Sequence, residues 1–277
     1  MRTEDGAEPS RMIPKLGYKP LIGVVHLPPI GRGYRFGASV EDLVDYAVAE
    51  AGKLESAGFD AVIVENYGDA PFEVAWDDDS LTVAVMAVVA REVSRAVSLR
   101  VGVNILRNDY RSLVSAYAAS ADFVRVNSVC EHRYAPEGLL RPAAPAIASL
   151  QRLPRRLLVL ADIGVKHSWE ASAASLDDVA VECGERGGVD AVIVTGGRTG
   201  MPPSPGMVAA VRSSTRLPVL VGSGLTAENL AAYYGVADGF IVGSYLKMSG
   251  TASPINPEKA MRLASKLREM RSRDSGV

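Results

Sequence analysis

The sequence predicts a (β/α)8 barrel, the TIM-barrel architecture of the α/β class. Strand-like and helix-like segments alternate along most of the chain. Most strand-like segments are continuous runs of Val, Ile and Leu, as expected when helices cover both faces of a parallel sheet. The length of 277 residues suits one such barrel, which typically takes about 250 residues. An open doubly wound sheet is the alternative, but no G-x-G-x-x-G sequence follows the first strand, which reads VVHLPP.

The predicted elements follow this alternation in chain order. Strands are predicted at residues 21–26, 61–65, 101–105, 123–127, 157–163, 191–195, 219–222 and 240–243. Helices are predicted at residues 40–57, 80–97, 110–119, 176–186, 206–213, 226–234 and 257–271. For the first helix, Ser39 is the expected N-cap, with Asp42 three residues later where a capping box places an acidic residue. Gly58 is the expected end of that helix.

The bulk composition predicts one globular unit. The chain is 48% hydrophobic and 22% charged, which is ordinary for a globular protein. We expect a flexible N-terminal segment at residues 1–19 and a single barrel domain at residues 20–277. The first 19 residues lack the apolar core of a signal peptide, and the longest apolar stretches fall short of the ~18 residues that span a bilayer. We therefore expect a soluble, cytoplasmic protein without an integral membrane segment.

Charge and cysteine content exclude several classes of partner. The 30 Lys and Arg residues nearly balance 32 Asp and Glu residues, for a formal net charge of −2. No basic block stands out, so nucleic acid is not an expected partner. Cys130 and Cys183 lie outside any C-x-x-C spacing, which favours two reduced thiols over a zinc site or a disulfide framework. The expected partners are a small phosphorylated molecule and further copies of the chain in a homo-oligomer.

Polar side chains end almost every predicted strand. In a (β/α)8 barrel the carboxyl ends of all strands meet at one face, and that face carries the function. The strand-end residues are His26, Glu65, Asn66, Asn104, Arg125, Asn127, Asp162, Lys166, His167, Thr195, Gly196, Ser223 and Ser244. Six of them are predicted to contact substrate: Asn66, Asn104, Arg125, Asn127, His167 and Thr195. The pattern predicts a ligand-binding or catalytic mouth.

Two glycine-rich turns follow the last two strands and predict a phosphate site. They are the segments Gly222-Ser223-Gly224 and Gly243-Ser244, and TIM barrels often bind phosphate between these two loops. Glycine lets the backbone approach phosphate oxygens, and a serine hydroxyl donates a further hydrogen bond. Alternatively, both turns need glycine for steric reasons alone.

A third glycine-rich end lies next to this predicted site. It reads Thr195-Gly196-Gly197-Arg198-Thr199-Gly200, and Gly196 is assigned to the phosphate site. Arg198 either contacts the phosphate or is a solvated loop residue.

Glu65 is the candidate general base. A carboxylate at the end of an apolar strand is partly desolvated, which raises its pKa and suits proton abstraction. The alternative is a structural ion pair between Glu65 and Arg125. A Mg²⁺ ion held by Glu65 and Asp162 is conceivable, but no compact ligand motif supports a metal site.

The stretch LADIGVKHS, residues 160–168, brings further ionisable groups to the mouth. Asp162 is a second candidate for handling a proton. Lys166 is either a Schiff-base nucleophile or a point charge that binds an anion, and Lys166 with His167 could also be a surface pair. His26 is either a proton carrier or a histidine that packs near Pro28 and Pro29. These four ionisable residues, Glu65, Asp162, Lys166 and His26, are the predicted catalytic set.

Eight stretches carry a resemblance to a known family. They are GVVHLPP (23–29), VENYGDAPF (64–72), VNILRND (103–109), FVRVN (123–127), LADIGVKHS (160–168), DAVIVTGGRTG (190–200), PVLVGSGLTAENL (218–230) and ADGFIVGSYLK (237–247). In this order, and over about residues 20–270, they resemble the BtpA/SgcQ family. The resemblance implies a TIM barrel of the phosphate-binding type. The name-giving member is linked to photosystem I biogenesis in cyanobacteria, and other members occur in sugar-metabolism contexts.

One segment departs from the family pattern. After the fourth strand the family usually continues with a His-Thr-Gly segment and an Asp-Gln-Gly-Ile-Ile-Glu-Gly loop, whereas residues 128–140 here read SVCEHRYAPEGLL. The sequence favours an enzyme that acts on a sugar phosphate or nucleotide-like compound by lyase, isomerase or glycosyl-transfer chemistry. The alternative is a non-catalytic assembly or biogenesis factor that retains the ligand-binding mouth.

Overall fold

Eight parallel strands close into a barrel in the computed structural model, which describes residues 11–31, 37–74 and 80–274. In chain order, the described residues form these strands, of which β5, β6 and β8 lie outside the barrel: β1 (Leu21–His26), β2 (Ala61–Glu65), β3 (Arg100–Asn104), β4 (Phe123–Val126), β5 (Arg133–Ala135), β6 (Gly138–Leu140), β7 (Leu158–Ile163), β8 (Trp169–Glu170), β9 (Ala191–Val194), β10 (Val219–Val221) and β11 (Gly239–Val242). Around the barrel, hydrogen-bonded neighbours follow the order β1-β11-β10-β9-β7-β4-β3-β2. The predicted TIM-barrel fold is therefore confirmed.

Helices follow the barrel strands and cover the outer face of the sheet. They are α1 (Val40–Ala57), α2 (Ser80–Ala96), α3 (Asp109–Ala118), α4 (Ala144–Leu150), α5 (Leu176–Glu185), α6 (Pro205–Ser214), α7 (Leu230–Tyr234) and α8 (Pro257–Asp274). Ser39 caps α1 as predicted, since its Oγ accepts a hydrogen bond from the Asp42 backbone N–H at 3.1 Å. Gly58 ends α1 in the left-handed region with φ 91°. Among the described residues, no helix is long and apolar enough to cross a membrane.

The segment between β4 and β7 contains structure that the sequence did not predict. Strands β5, β6 and β8 form a small antiparallel sheet in the order β6-β5-β8, and α4 follows it. The strands have only two or three residues each, and α4 buries a single apolar side chain, that of Ile147. Segments this short carry too few residues to display a 2-residue or 3.6-residue period.

Alternate side chains of the strands fill the inside of the barrel. The inner cluster comprises Ile13, Leu16, Ile22, Val24, Ala61, Ile63, Phe123, Leu158, Leu160, Ala191, Ile193, Leu220 and Ile241. Phe123 is fully buried, and a Cβ added at Gly102 would lie 2.3 Å from its ring. The Phe123 ring therefore occupies space that a side chain at position 102 would fill.

Residues 11–19, assigned from sequence to a flexible segment, pack against the bottom of the barrel. Ile13 and Leu16 belong to the inner cluster. The Arg11 backbone N–H donates to Asp238 at 2.8 Å, and the Lys19 ammonium donates to the Ala237 carbonyl at 2.8 Å. Isolated apolar residues between polar ones gave no sequence signal for this packing. Residues 1–10 of the predicted segment lie outside the described residues.

The two cysteines meet in the folded chain. Cys130 follows β4, Cys183 belongs to α5, and their side chains are hydrogen bonded, which lowers the pKa of Cys130. Both are free thiols. A Cβ at Gly187 would lie 2.9 Å from the Cys130 sulfur, so glycine lets the chain after α5 approach this contact. The pair joins the start of the segment between β4 and β7 to α5.

We expect Phe123→Ala to lower the free energy of unfolding by about 3–5 kcal/mol, because it leaves a cavity in the barrel interior. Chemical denaturation measures this loss. The control is Met261→Ala on α8, where the side chain is 49% exposed and the expected change stays within about 0.5 kcal/mol. A loss for Phe123→Ala no larger than that of the control would contradict this packing.

Candidate active site

The alternation of side chains along each strand brings the predicted residues to the barrel mouth. Val24 and Ile63 point inward in the inner cluster, and His26 and Glu65 lie two residues further along the same strands, so they also face the axis. His26 pairs in register with Glu65, and Glu65 with Asn104. The same two-residue step leads to Asn104, Arg125, Asp162, Thr195, Gly222 and Gly243 on the other strands.

Glu65 lies at the centre of this layer and is 4% exposed. Its Oε1 accepts a hydrogen bond from the Asn104 side-chain amide at 2.8 Å and lies 3.7 Å from an Arg125 nitrogen. Its Oε2 lies 3.4 Å from Nε2 of His26. Two cationic or protonated partners and one amide therefore surround a single buried carboxylate.

The sequence-based expectation of a raised Glu65 pKa is wrong. Burial raises the pKa, but the hydrogen bond and charge of His26, together with the charges of Arg125 and Lys166, outweigh it and lower the pKa to about 2. The expectation counted desolvation and omitted the cations that the fold brings to the carboxylate. Glu65 is thus ionised at neutral pH, which is the state that a proton acceptor requires.

His26 and Glu65 face each other at the mouth. Nδ1 of His26 lies 2.7 Å from the Thr251 carbonyl oxygen, which only accepts, so Nδ1 carries a hydrogen. Nε2 lies 3.4 Å from the Glu65 carboxylate, so it is the nitrogen through which a proton can pass between the two groups. Burial lowers the pKa of His26 while the contact with Glu65 opposes that shift. The ring stacks on Tyr67, with centroids 4.4 Å apart, rather than near the two prolines of the sequence-based alternative.

Asp162 lies beneath the mouth and holds Arg125 in place. Nε and Nη2 of Arg125 donate to the two Asp162 oxygens, each at 3.0 Å. The Asn127 side-chain amide donates to the same carboxylate at 2.8 Å. Asp162 is 1% exposed, so it orients Arg125 and Asn127, which reach the cavity, rather than reaching it itself.

The cavity that holds most of the charged side chains of the mouth, called the main cavity for that reason, has a volume of about 230 Å³. It is lined by Glu65, Tyr67, Ala70, Phe72, Leu106, Arg107, Arg125, Asn127, Pro136, Glu137, Val165, Lys166, His167 and Thr199. Burial lowers the pKa of Lys166, and the charge of Arg125 lowers it further. Lys166 is therefore an amine within the mouth, not half of a surface pair.

A smaller cavity of about 20 Å³, the cradle cavity, adjoins the main one. It is lined by Val24, His26, Glu65, Tyr67, Arg125, Lys166, Thr199, Gly200, Gly222, Ser223, Gly224, Gly243 and Ser244. Both predicted glycine-rich turns thus lie on one cavity, together with His26 and Glu65. The Ser223 hydroxyl is buried and has no hydrogen-bond partner among the described residues.

Steric constraints also require glycine at these turns. Gly224 has φ +64°, and a Cβ there would lie 2.3 Å from the Pro202 nitrogen. A Cβ at Gly222 would lie 2.4 Å from Ile193, and one at Gly243 would lie 3.2 Å from the His26 ring. Close packing therefore accounts for glycine at these positions, and the Ser223 hydroxyl on the cavity wall has no hydrogen-bond partner among the described residues.

Several predicted site residues do not line either cavity. The Asn66 side chain joins loops, since its Oδ1 accepts from the Leu106 backbone at 2.8 Å. Asn104 supports Glu65 from the side. Thr195 lies beneath the cradle, where its methyl group approaches Gly222, and a Cβ at Gly196 would lie 2.1 Å from the Met201 carbonyl oxygen. Arg198 is exposed and is the solvated loop residue of the two alternatives.

His167 lines the main cavity and fastens the glycine-rich loop after β9. Its Nε2 accepts a hydrogen bond from the Thr199 backbone N–H at 3.2 Å and lies 2.9 Å from the Thr199 hydroxyl. Burial and the charges of Lys166 and Arg107 lower the His167 pKa, which favours the neutral ring that this acceptor role needs.

Sequence reasoning missed Tyr67 and Arg107. Tyr67 directly follows Glu65 and Asn66, the two polar residues at the end of β2, and it lines both cavities. Arg107 is 7% exposed and adopts φ 66°, and it donates to the Lys166 and His167 carbonyls at 3.1 and 3.2 Å. The available sequence signal for Arg107 was an arginine three residues after a barrel strand. It was missed because only the residues at the strand ends were considered as site residues.

The divergent segment 128–140 forms part of the main cavity wall. Pro136 and Glu137 line the cavity, and Glu137 lies 3.5 Å from Arg107. Glu131 accepts from the Gly164 backbone N–H at 2.8 Å, and Arg133 donates to the Ser168 hydroxyl at 2.6 Å. The segment therefore also supports the loop that carries Lys166.

No group of three or more His, Cys, Asp or Glu side chains in the described ranges is arranged to hold a metal ion. Arg125 bridges Glu65 and Asp162. A guanidinium thus supplies positive charge between the two carboxylates that the sequence offered as Mg²⁺ ligands.

Comparison with known sequences assigns the chain to a family. Residues 17–269 match the BtpA family. The chain belongs to the BtpA family. A relative from Pyrococcus abyssi, named an uncharacterized protein, is 42% identical over 262 residues, which cover 92% of this chain and 98% of the relative. The photosystem I biogenesis protein BtpA of Synechocystis is 34% identical over 236 residues, covering 84% of this BtpA family member and 82% of that protein.

Solved structures share the fold of this BtpA family member at low sequence identity. Thiamine phosphate pyrophosphorylase from Pyrococcus furiosus has a TM-score of 0.54 and 17% identity, with 92% of this chain and 96% of that chain covered. N-(5'-phosphoribosyl)anthranilate isomerase from Pyrococcus furiosus has a TM-score of 0.57 and 13% identity, with 91% and 100% covered. These likenesses support the barrel architecture.

The depressed pKa of Glu65 predicts a specific loss of stability in acid. Its folded-state pKa of about 2 lies below the ordinary value of 4.5, so its contribution is present above about pH 4.5 and is lost as the pH falls toward 2. Between pH 6 and pH 3.5 we expect the free energy of unfolding to fall by about 1 kcal/mol through Glu65 alone.

Urea denaturation at both pH values measures this change in the wild type and in Glu65→Gln. We expect the variant to lose less stability on acidification by that amount. An identical pH dependence in the two proteins would contradict the charge environment described for Glu65.

Proposed function

We propose that this BtpA family member is an enzyme that acts on a small phosphorylated metabolite, a sugar phosphate or nucleotide-like compound. The phosphate binds in the cradle cavity, and the reacting part of the molecule lies in the main cavity. The reaction is of the lyase, isomerase or glycosyl-transfer type. Cytoplasmic location and a homo-oligomeric state stay predictions from the sequence.

One observation carries the proposal: the cradle cavity and the main cavity share five residues, Glu65, Tyr67, Arg125, Lys166 and Thr199. A ligand anchored by its phosphate is thereby held against a carboxylate, a guanidinium and an amine. The buried Ser223 hydroxyl has no partner in the described part of the chain, and a phosphate oxygen would satisfy it.

The names of the structural relatives support the same class of ligand. Thiamine phosphate pyrophosphorylase and N-(5'-phosphoribosyl)anthranilate isomerase are both named for phosphorylated compounds. In TIM barrels the loops after the seventh and eighth barrel strands commonly bind phosphate. In this chain those loops follow β10 and β11 and form the cradle cavity.

The charged groups divide the chemical work. Glu65 removes a proton from substrate carbon or oxygen, and His26, which lies 3.4 Å from it, returns one. Arg125 and Lys166 stabilise the negative charge that develops when the proton leaves. Asp162 and Asn104 act through their neighbours, because they orient Arg125 and Glu65 by hydrogen bonds.

A second candidate function is a non-catalytic assembly factor that uses the mouth as a ligand sensor. The Synechocystis relative, named a photosystem I biogenesis protein, favours it. The two functions differ in what they require of Glu65, since a sensor needs the ligand to bind and does not need a proton to move.

Inorganic phosphate is expected to stabilise the protein against heat. At ten times its Kd, phosphate adds about 1.4 kcal/mol, which corresponds to a Tm increase of about 3–6 °C for a chain of this size. We expect Ser223→Asp to abolish the increase, because its carboxylate repels phosphate. A thermal-shift titration measures both proteins.

The matched control is Ser265→Asp, which adds the same charge at an exposed position of α8. It should respond to phosphate as the wild type does. If the wild type shows no shift up to millimolar phosphate, or if Ser223→Asp keeps the full shift, then the glycine-rich turns do not form a phosphate site.

The catalytic role of Glu65 is tested by searching the purified protein for a bound phosphorylated metabolite by native mass spectrometry and using that compound as substrate. We expect the wild type to convert it and Glu65→Gln to convert it more slowly, by a factor of about 10² or more. Glu65→Gln should retain the phosphate-induced Tm increase. Binding of the metabolite without conversion by the wild type would favour the assembly factor.

A further inference from the structure

Lys166 is the charged group of the mouth that lacks a dedicated partner. Its side chain lines both the main cavity and the cradle cavity. Within residues 11–31, 37–74 and 80–274, its ammonium makes no hydrogen bond and no ion pair, although its backbone carbonyl accepts from Arg107. The amine is thus free to meet a ligand.

The other charged groups around Lys166 contact one another. Arg125 pairs with Asp162 at 3.0 Å, and Arg107 lies 3.5 Å from Glu137. Nε2 of His26 lies 3.4 Å from a Glu65 oxygen. These groups are held by fixed partners, whereas the half-buried Lys166 side chain has none among the described residues.

The surroundings shift Lys166 toward the neutral amine. Burial lowers the pKa of Lys166, and Arg125 and Arg107 lower it while Glu65 and Asp162 oppose them. A neutral lysine amine is a nucleophile for carbonyl carbon. It lies between the phosphate cradle and a group that can deliver and accept a proton, as imine formation requires.

We propose that Lys166 captures the carbonyl group of a phosphorylated ketone or aldehyde as an imine. The proposal rests on the proposed function and names its substrate class. The Lys166 nitrogen bonds to the carbonyl carbon, and the carbonyl oxygen takes up protons and leaves as water. The nitrogen loses one proton when the carbinolamine forms and a second when the neutral imine forms. The His26–Glu65 pair relays these protons to the departing oxygen.

The imine explains how one mouth activates its substrate. Once protonated, the iminium nitrogen withdraws electrons from the adjacent carbon–hydrogen or carbon–carbon bond. Glu65 can then remove a proton from that position. Lys166 thereby supplies by a covalent bond the positive charge that the proposed function requires.

Two other lysines serve as internal controls for reactivity. Burial lowers the pKa of both Lys19 and Lys247 to about 8. Lys19 donates to the Ala237 carbonyl at 2.8 Å, and Lys247 donates to the Val24 carbonyl at 3.3 Å. Neither lysine lines the two cavities. If a lowered pKa alone determined reactivity, the probe would modify Lys19 and Lys247 as readily as Lys166. If the proposed site determines it, the probe modifies Lys166 selectively.

The experiment is reductive trapping with sodium cyanoborohydride at neutral pH. The probes are dihydroxyacetone phosphate, glyceraldehyde 3-phosphate and ribose 5-phosphate, each compared with its unphosphorylated counterpart. Intact-mass and peptide mass spectrometry locate the adduct. With at least one phosphorylated probe we expect about tenfold more adduct on Lys166 than on Lys19 or Lys247, because the phosphate holds the carbonyl near the amine.

Matched variants complete the test. Lys166→Arg keeps a basic side chain but cannot form an imine, so it should lose the adduct. Lys15→Arg at an exposed position should trap as the wild type does. If Lys166→Arg does not fold, the peptide map of the wild type decides.

The outcomes separate this proposal from the function on which it rests. A wild type that responds to phosphate but gives no Lys166 adduct with any probe overturns the imine and leaves the proposed function standing. Equal labelling of Lys166, Lys19 and Lys247, or equal trapping of phosphorylated and unphosphorylated probes, also overturns it. A wild type without a phosphate response overturns the proposed function.

Discussion

Inside a closed parallel barrel, every second side chain of each strand points to the axis, and this alternation governs both the core and the mouth. Val24, Ile63 and Phe123 point inward lower in the barrel. Two residues further along the same strands, the inward-facing residues are His26, Glu65 and Arg125. The strands thus change from apolar to charged residues at one level. The charged residues are buried almost as deeply as the apolar ones, so each needs a compensating neighbour.

That need accounts for the geometry of the mouth. Arg125 takes both oxygens of Asp162 and approaches Glu65, while Asn104 and His26 occupy the remaining Glu65 positions. Bidentate contacts of this kind fix orientation as well as charge. The result is a set of side chains held in place before a ligand arrives, with Lys166 as the exception that no fixed contact holds. Preorganised charge facing an uncommitted amine is the arrangement on which the proposed chemistry depends.

The sequence was sufficient for the barrel and for most of the mouth, because both follow from the regular spacing of strands and strand ends. The sequence was insufficient for features that depend on contacts between segments far apart in the chain. The pKa direction of Glu65 depends on Arg125 and Lys166, which come from other strands and loops. Arg107 reaches the cavity through a backbone conformation with positive φ, which no periodic pattern reveals. The inward packing of Ile13 likewise becomes visible only when the barrel bottom exists to receive it.

The wall formed by Pro136 and Glu137 has a consequence for how members of this family diverge. The His26–Glu65 pair and the two glycine-rich turns of the cradle cavity come from barrel strands and the turns that end them, but Pro136 and Glu137 come from the insertion between β4 and β7. The family pattern is interrupted at that same insertion and resumes after it. Exchanging one short segment would therefore reshape the wall against which a substrate rests, without moving the reactive groups. Relatives of this protein could inherit one chemical step and apply it to different molecules, with the insertion acting as the interchangeable part.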